Sequence, residues 1–258
     1  ELLRGIAEEA GKLDYRLLVS VGTGEQAYDE LFKSGAIDGL ILTSARYKDK
    51  RIARLIYDGY PFSLIGRFDT DMLPEGRQYI VDIDHIKAAR AVTEYLLSLG
   101  HTRIGYISGP MDYYLTVHRL QGYREAMKAR NLEAHEEYVA VEDGFMEHNG
   151  SSGMMRLLSL PDRPTAVFVF NDLMAMGAVQ AVRSQGLRVP DDVSVIGFDN
   201  IMTAPFLDPP LTTVEHFPYK KASLATKLLV DDLSASASDT RNVEIPFEIV
   251  ERQSCKPI

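Results

Sequence analysis

Ala166-Val167-Phe168-Val169-Phe170-Asn171-Asp172-Leu173-Met174-Ala175-Met176-Gly177-Ala178 is the stretch on which the fold turns. Five apolar residues in a row, β-branched and aromatic among them, suit a strand buried on both faces. Asn171 and Asp172 break the run. Apolar residues then recur at helical spacing to position 185, and Gly186 closes the helix. Strand, polar break and helix make one βα unit.

The same unit repeats in both directions. Toward the C-terminus come a strand at 193–196, a Pro-rich crossing (Pro205, Pro209, Pro210), a helix at 219–233 and strands at 243–245 and 247–250. Toward the N-terminus, strands at 103–107 and 138–141 alternate with helices at 115–130 and 147–158. A long amphipathic helix over 84–99 stops at Gly100. Before it lie strands at 16–21, 39–42, 62–65 and 79–81, with helices at 2–10, 25–33 and 50–57; Gly11 and Gly35 read as stops. Residues 234–238, alternating Ser and Ala, read as an exposed loop. Strands alternating with helices predict an α/β fold with mainly parallel sheets. The units are too many for one small sheet. We therefore expect two lobes joined by several crossings with a cleft between them, and ligands beyond the carboxyl ends of the strands.

The 258 residues amount to a little under two typical domains. Lys and Arg number 28 against 37 Asp and Glu, a net charge of −9, which argues against a broad nucleic-acid surface in these residues. No apolar run reaches the roughly 18 residues of a membrane helix, and no signal peptide is visible at the start. The single Cys255 cannot form an internal disulfide, which favours the cytoplasm. The first residue is Glu rather than Met, so the chain reads as a piece of a longer one.

Catalytic templates fail. The histidines at 85, 101, 118, 135, 148 and 216 have no metal-binding spacing, and Asn149-Gly150-Ser151-Ser152-Gly153 is not a nucleophile elbow. Neither a metal, a cofactor nor an enzymatic activity is expected. Gly22-Thr23-Gly24-Glu25-Gln26-Ala27 does match G-x-G-x-x-A. An NAD-linked enzyme would rest on that turn alone. Glu25 would set a negative charge where phosphates should bind, and no acidic residue follows at a clear second strand end.

The polar residues at strand ends are more coherent. Arg67, Asp84, Asn171-Asp172 and Asp199-Asn200 each follow an apolar run directly, and Arg119 opens a helix after Ser108-Gly109-Pro110. Singly they have ordinary explanations. Asp84 and Asn171 suit helix N-caps, worth about 1 kcal/mol, Asp199 a turn, and Arg119 a surface ion pair. Together they offer carboxylates, an amide and a guanidinium to a polyhydroxylated ligand. Tyr113, Tyr114, Phe145, Phe170 and Phe206 lie in or near the same loops, where a sugar's C–H face could stack.

Several strings resemble the lac-repressor/galactose-repressor family of bacterial transcription regulators. They are Leu99-Gly100-His101-Thr102-Arg103-Ile104, Arg119-Leu120-Gln121-Gly122-Tyr123, the stretch from Asn171 to Ala178, Gly186 to Asn200, and Pro210-Leu211-Thr212-Thr213-Val214. The resemblance covers nearly the whole chain. It implies two Rossmann-like lobes of the periplasmic-binding-protein-like type I fold with three crossings, one lobe holding 1–96 plus 216–245 and the other 97–215 plus 246–258. It also implies a sugar-like effector between the lobes that shifts an open/closed equilibrium in a homodimer. By position, Asp84, Arg119, Asn171 and Asp199 match the family's effector contacts and Phe145 its aromatic stacking position; Arg67 is a further candidate. The DNA-binding headpiece and the core's own first strand are not among these residues, so the edges next to that strand should be exposed. Operator DNA would be contacted by a helix-turn-helix upstream. Residues 21–26 look shorter than the family's loop, which would make the G-x-G-x-x-A match an accident. The alternative from another class is a periplasmic sugar-binding protein of a transporter, which shares the fold.

Overall fold

In a computed structural model of the chain, residues 1–20, 27–43, 45–47, 49–68, 79–234 and 241–258 are described. The G-x-G-x-x-A turn and nearly all of the Ser/Ala loop lie outside them. The chain divides into unit 1, Glu1–Ile83 with Phe217–Pro246, and unit 2, Asp84–His216 with Phe247–Ile258.

Unit 1 carries helices α1 (Leu2–Lys12), α2 (Ala27–Lys33) and α3 (Lys50–Tyr57) and strands β1 (Leu40–Leu42), β2 (Phe62–Ile65) and β3 (Tyr79–Asp82). Unit 2 begins with helix α4 (His85–Ser98) and continues with β4 (Ile104–Ser108), α5 (Tyr114–Ala129), β5 (Val139–Val141), α6 (Glu147–Leu158), β6 (Ala166–Val169), α7 (Asp172–Ser184), β7 (Ser194–Ile196) and β8 (Thr213–Glu215). The chain then returns to unit 1 for α8 (Pro218–Ser234) and β9 (Arg241–Glu244), and ends in unit 2 with β10 (Glu248–Val250).

Unit 1 holds a parallel sheet in the order β1-β2-β3-β9. One face packs Phe62, Leu64 and Ile80 against Ile52 and Leu55 of α3. Across the sheet α8 lies against β2 and β3, with α1 on α8. Lys221 of α8 donates to Asp82 at 3.0 Å, both nearly buried, and the Tyr79 hydroxyl donates to Asp232 at 2.8 Å.

Unit 2 repeats the plan as β5-β4-β6-β7, all parallel, with a core of Ile107, Val167, Val169, Val195, Met154 and Val182. β8 and β10 form a separate antiparallel pair. His101 ties the C-terminal tail to this unit. Its Nε2 donates to the Lys256 carbonyl at 3.1 Å and Nδ1 accepts from the Thr165 hydroxyl at 2.9 Å, while burial lowers its pKa. The Cys255 thiol donates to the Val195 carbonyl.

Three expectations change. Helix α4, expected in the first lobe, packs along α5 in unit 2, so the boundary falls at 83/84 instead of 96/97. The reason is packing: α4 follows its strand in sequence but buries Ala88, Ala89 and Val92 in the α4–α5 contact and against β6. Helix α1 runs through Gly11 to Lys12, because a helix packed on a neighbour tolerates the roughly 1 kcal/mol cost of a glycine. The strand expected at 16–21 is not formed over its described residues, 16–20. Leu17, Leu18 and Val19 are 41%, 59% and 56% exposed, and a cavity of about 890 Å³ is lined by this segment together with β1 and α8. Apolar β-formers make a strand only where a ladder partner is present.

Candidate functional site

In unit 2 the strand order reverses direction at β4, since β5 lies on one side of it and β6 on the other. Ligands in open α/β sheets bind at such switch points, beyond the carboxyl ends of the strands. The loops there carry most of the candidates.

Arg119 sits at the centre. It is 3% exposed and its guanidinium lies over two rings, 3.5 Å from the Phe198 centroid and 4.5 Å from that of Phe170. Nη1 donates to the Phe170 carbonyl at 2.5 Å and Nε to His85 Nδ1 at 3.4 Å. Nη2 stands 3.9 Å from Asp199 Oδ1, an ion pair longer than a hydrogen bond. Arg119 is thus a buried cation clamped on rings rather than a surface ion pair.

Asp199 follows Phe198 with φ +111° and Asn200 with φ +48°. Backbone in such regions costs on the order of 1–3 kcal/mol per residue and is held by its surroundings. The Asp199 amide donates to the Val214 carbonyl at 3.0 Å, and its carboxylate lies 3.3 Å from His216 Nε2. His216 Nδ1 is buried without a partner among the described residues.

Phe145 stacks on Phe170 with centroids 4.9 Å apart, and Tyr113 meets its edge at 5.2 Å. A single row of rings therefore runs from Tyr113 through Phe145 and Phe170 to Arg119. Gly109 makes this possible: a Cβ there would fall 2.1 Å from Phe145 Cε1. Gly109→Ala is expected to displace the Phe145 ring, costing about 1–3 kcal/mol through overpacking. A loss of near-ultraviolet aromatic signal with a lower unfolding midpoint would register it; an unchanged midpoint and spectrum would refute it.

The other candidates fall differently. Asn171 caps α7, accepting from the Met174 amide at 2.7 Å, and donates to the Phe145 carbonyl at 3.1 Å. Its amide thus anchors the stacking segment as well as the helix. Asp84 caps α4, accepting from the Lys87 amide at 3.0 Å, and pairs with the Lys87 ammonium. Arg67 belongs to unit 1, where it donates to Glu244 at 3.0 Å. Tyr114 packs on His118, and Phe206 is 86% exposed. His85, Phe198 and His216 enter the cluster without having been singled out. Their one signal was position: each stands at or just beyond the end of an apolar run. Among the described residues no group of His, Cys, Asp and Glu could hold a metal, and no helix is long and apolar enough to cross a membrane.

Asp172, at the first turn of α7, is fully buried. Burial pushes its carboxyl up to about 7, with the Asp199 charge adding to the rise.

The periplasmic binding protein-like domain family matches residues 93–255. The transcriptional repressor CytR of Escherichia coli K12 is 34% identical over all of this chain, which spans 75% of CytR. A putative LacI transcriptional regulator from Bacillus cereus subsp. cytotoxis NVH 391-98 superposes with TM-score 0.93 at 32% identity, over 100% of this chain and 91% of that one. The chain belongs to the LacI family of transcriptional regulators. A second solved structure, the transcriptional regulator CelR in complex with cellobiose, has TM-score 0.89 at 31% identity, covering 98% of this chain and 77% of CelR. The matched domain is the periplasmic-binding-protein-like one that the resemblance implies, and the relatives are transcriptional regulators rather than transporter components or enzymes.

Proposed function

We propose that the chain is the effector-binding core of a sugar-responsive repressor, and that the Arg119 cluster of unit 2 is where the effector is held. The observation that carries this is the clamped Arg119 guanidinium beside Asp199, continued by the Phe170–Phe145–Tyr113 rings. A ligand hydroxyl beside the ion pair can accept from Nη2 and donate to Oδ1, while the rings take a sugar's C–H face. Cellobiose in the CelR complex supports a sugar as the chemical class. Asn171 and Asp84 contribute by placing Phe145 and α4.

On this reading the effector acts by differential affinity for two states of the regulator, the only way a ligand shifts such an equilibrium. The regulator works in the cytoplasm as a homodimer with no catalytic step. It meets operator DNA through a helix-turn-helix segment outside these 258 residues.

A thermal-shift panel of cellobiose, neutral monosaccharides, sugar phosphates and purines tests the reading. A binding sugar at about 100 times its Kd should add roughly 2.7 kcal/mol. Stabilisation by purines alone would overturn the sugar class, and no shift with any of them would overturn the sugar-effector reading.

A further inference from the structure

The 199–201 bend carries the acidic group of the cluster in a backbone conformation that side chains disfavour, so something beneath must hold it. Asp172 lies there with both carboxylate oxygens committed to this bend and to β8. Oδ2 accepts from the Ile201 amide at 2.9 Å, and Oδ1 accepts from the Thr213 hydroxyl at 2.6 Å. That hydroxyl in turn accepts from the Asn200 amide at 3.3 Å. The Asp172 amide also donates to the Phe198 carbonyl at 2.8 Å. The chain passes so close that a Cβ at Gly197 would stand 2.2 Å from Asp172 Oδ1.

A capping role does not account for Asp172, because Asn171 already caps α7. Nor does a salt bridge: the carboxylate is fully buried and receives only neutral donors in the contacts named above. The Asn200 side chain has its own anchors, donating to Glu215 and accepting from Arg252, but these hold residue 200 alone.

We infer that Asp172 is a positioning residue for effector recognition: it fixes the 199–201 bend, and through it the Asp199 carboxylate beside Arg119. The value of that position to an effector rests on the function proposed above; the anchoring does not. The charged and titratable groups facing the bend are Asp199 itself, Arg119 from α5, Glu215 from β8, His216 just beyond it and Arg252 from the tail.

The carboxyl also sets a pH dependence. Its folded pKa lies above the ordinary carboxylate value, so the folded protein binds more protons than the unfolded one between about pH 4 and 7. Ionisation therefore penalises the fold increasingly as pH rises through that window, and fully above about 7. Asp172→Asn stays neutral and can serve both partners, its oxygen accepting from Ile201 and its amide donating to the Thr213 hydroxyl. The unfolding midpoint of Asp172→Asn minus that of the wild type should thus grow from pH 5 to pH 8.

Amide hydrogen exchange on the ligand-free chain decides the anchoring. Asp172→Ala should lower protection of Asn200 and Ile201 at least tenfold, leave Val167–Val169 of β6 within twofold, and be rescued by Asp172→Asn. If Asp172→Ala does not fold, Thr213→Val, which removes only the Oδ1 donor, should give the same local loss. Unchanged protection at 200 and 201, or failure of Asp172→Asn to restore it, would overturn the inference. With cellobiose as probe, Asp172→Ala should weaken binding at least tenfold and Asp172→Asn should restore it; equal binding by all three proteins would overturn the link to recognition. If cellobiose does not bind the wild type, the proposed sugar loses support while the exchange result still decides the role of Asp172.

Discussion

Arg119→Met is expected to lower affinity for the most stabilising sugar of the thermal-shift panel by about 100-fold. Methionine keeps much of the volume and still packs on Phe198 and Phe170, but it removes every donor. Hydrogen bonds to a charged group are worth about 1.5–3 kcal/mol each, and 1.4 kcal/mol is a factor of ten, so losing the bond or bonds from Nη2 amounts to one or two decades. Asp199→Ala should fall in the same range, because it removes the acceptor of the same hydroxyl. Titration calorimetry on both variants checks this. If both bind within twofold of the wild type, the cluster is not the effector site. The unfolding midpoint of Arg119→Met guards against a trivial loss, since a folded variant that binds as before speaks against the assignment as plainly as one that binds weakly speaks for it.

Lys221→Ala is expected to destabilise unit 1 by about 3–5 kcal/mol, since it takes the Lys221 ammonium away from the buried Asp82 carboxylate. The pair lies between β3 and α8, the sheet–helix contact that closes the unit. Replacing both partners by apolar residues of similar size, Lys221→Met with Asp82→Leu, should recover most of the loss, because desolvating two charges nearly offsets their attraction. Urea unfolding of the single and double variants gives the comparison. A single variant within about 1 kcal/mol of wild type would show that water reaches Asp82 and that the pair is not closed off.

How far the residues alone could be read depends on the range of the physics involved. Helices such as Lys50–Tyr57 and Glu147–Leu158 fall where apolar spacing puts them, because that signal lies within a turn or two of chain. Strands with apolar runs, such as Phe62–Ile65 and Ala166–Val169, are equally legible. Residues 16–20 were not, since strand formation there depends on distant parts of the chain that no local property specifies. The boundary at 83/84 in place of 96/97 has a similar cause, since the long-range packing of α4 on α5 outweighs its place in the chain.

The candidate site divides along the same line. Asn171 and Asp199 could be chosen because they stand at strand ends, which parallel sheets gather in space, and Arg119 and Phe145 because they match positions of the family they resemble. Their individual tasks could not. Asn171 spends its amide on Met174 and the Phe145 carbonyl, and Asp84 spends its carboxylate on the α4 cap, outcomes set by a few ångströms of loop geometry. His216 and Phe198 were overlooked because nothing local distinguishes a ring that lines a site from one that fills a core.

By itself the sequence determined that this protein is a two-part α/β chain with polar groups gathered at its strand ends, because hydrophobic period, turn chemistry and charge are local or additive properties. Tertiary structure decided which groups meet. It put Arg119 between two rings, aimed it at Asp199, and set a fully buried Asp172 beneath the bend that carries Asp199. Those placements depend on burial and on contacts between residues tens of positions apart, and burial is also what moves the Asp172 carboxyl to about 7.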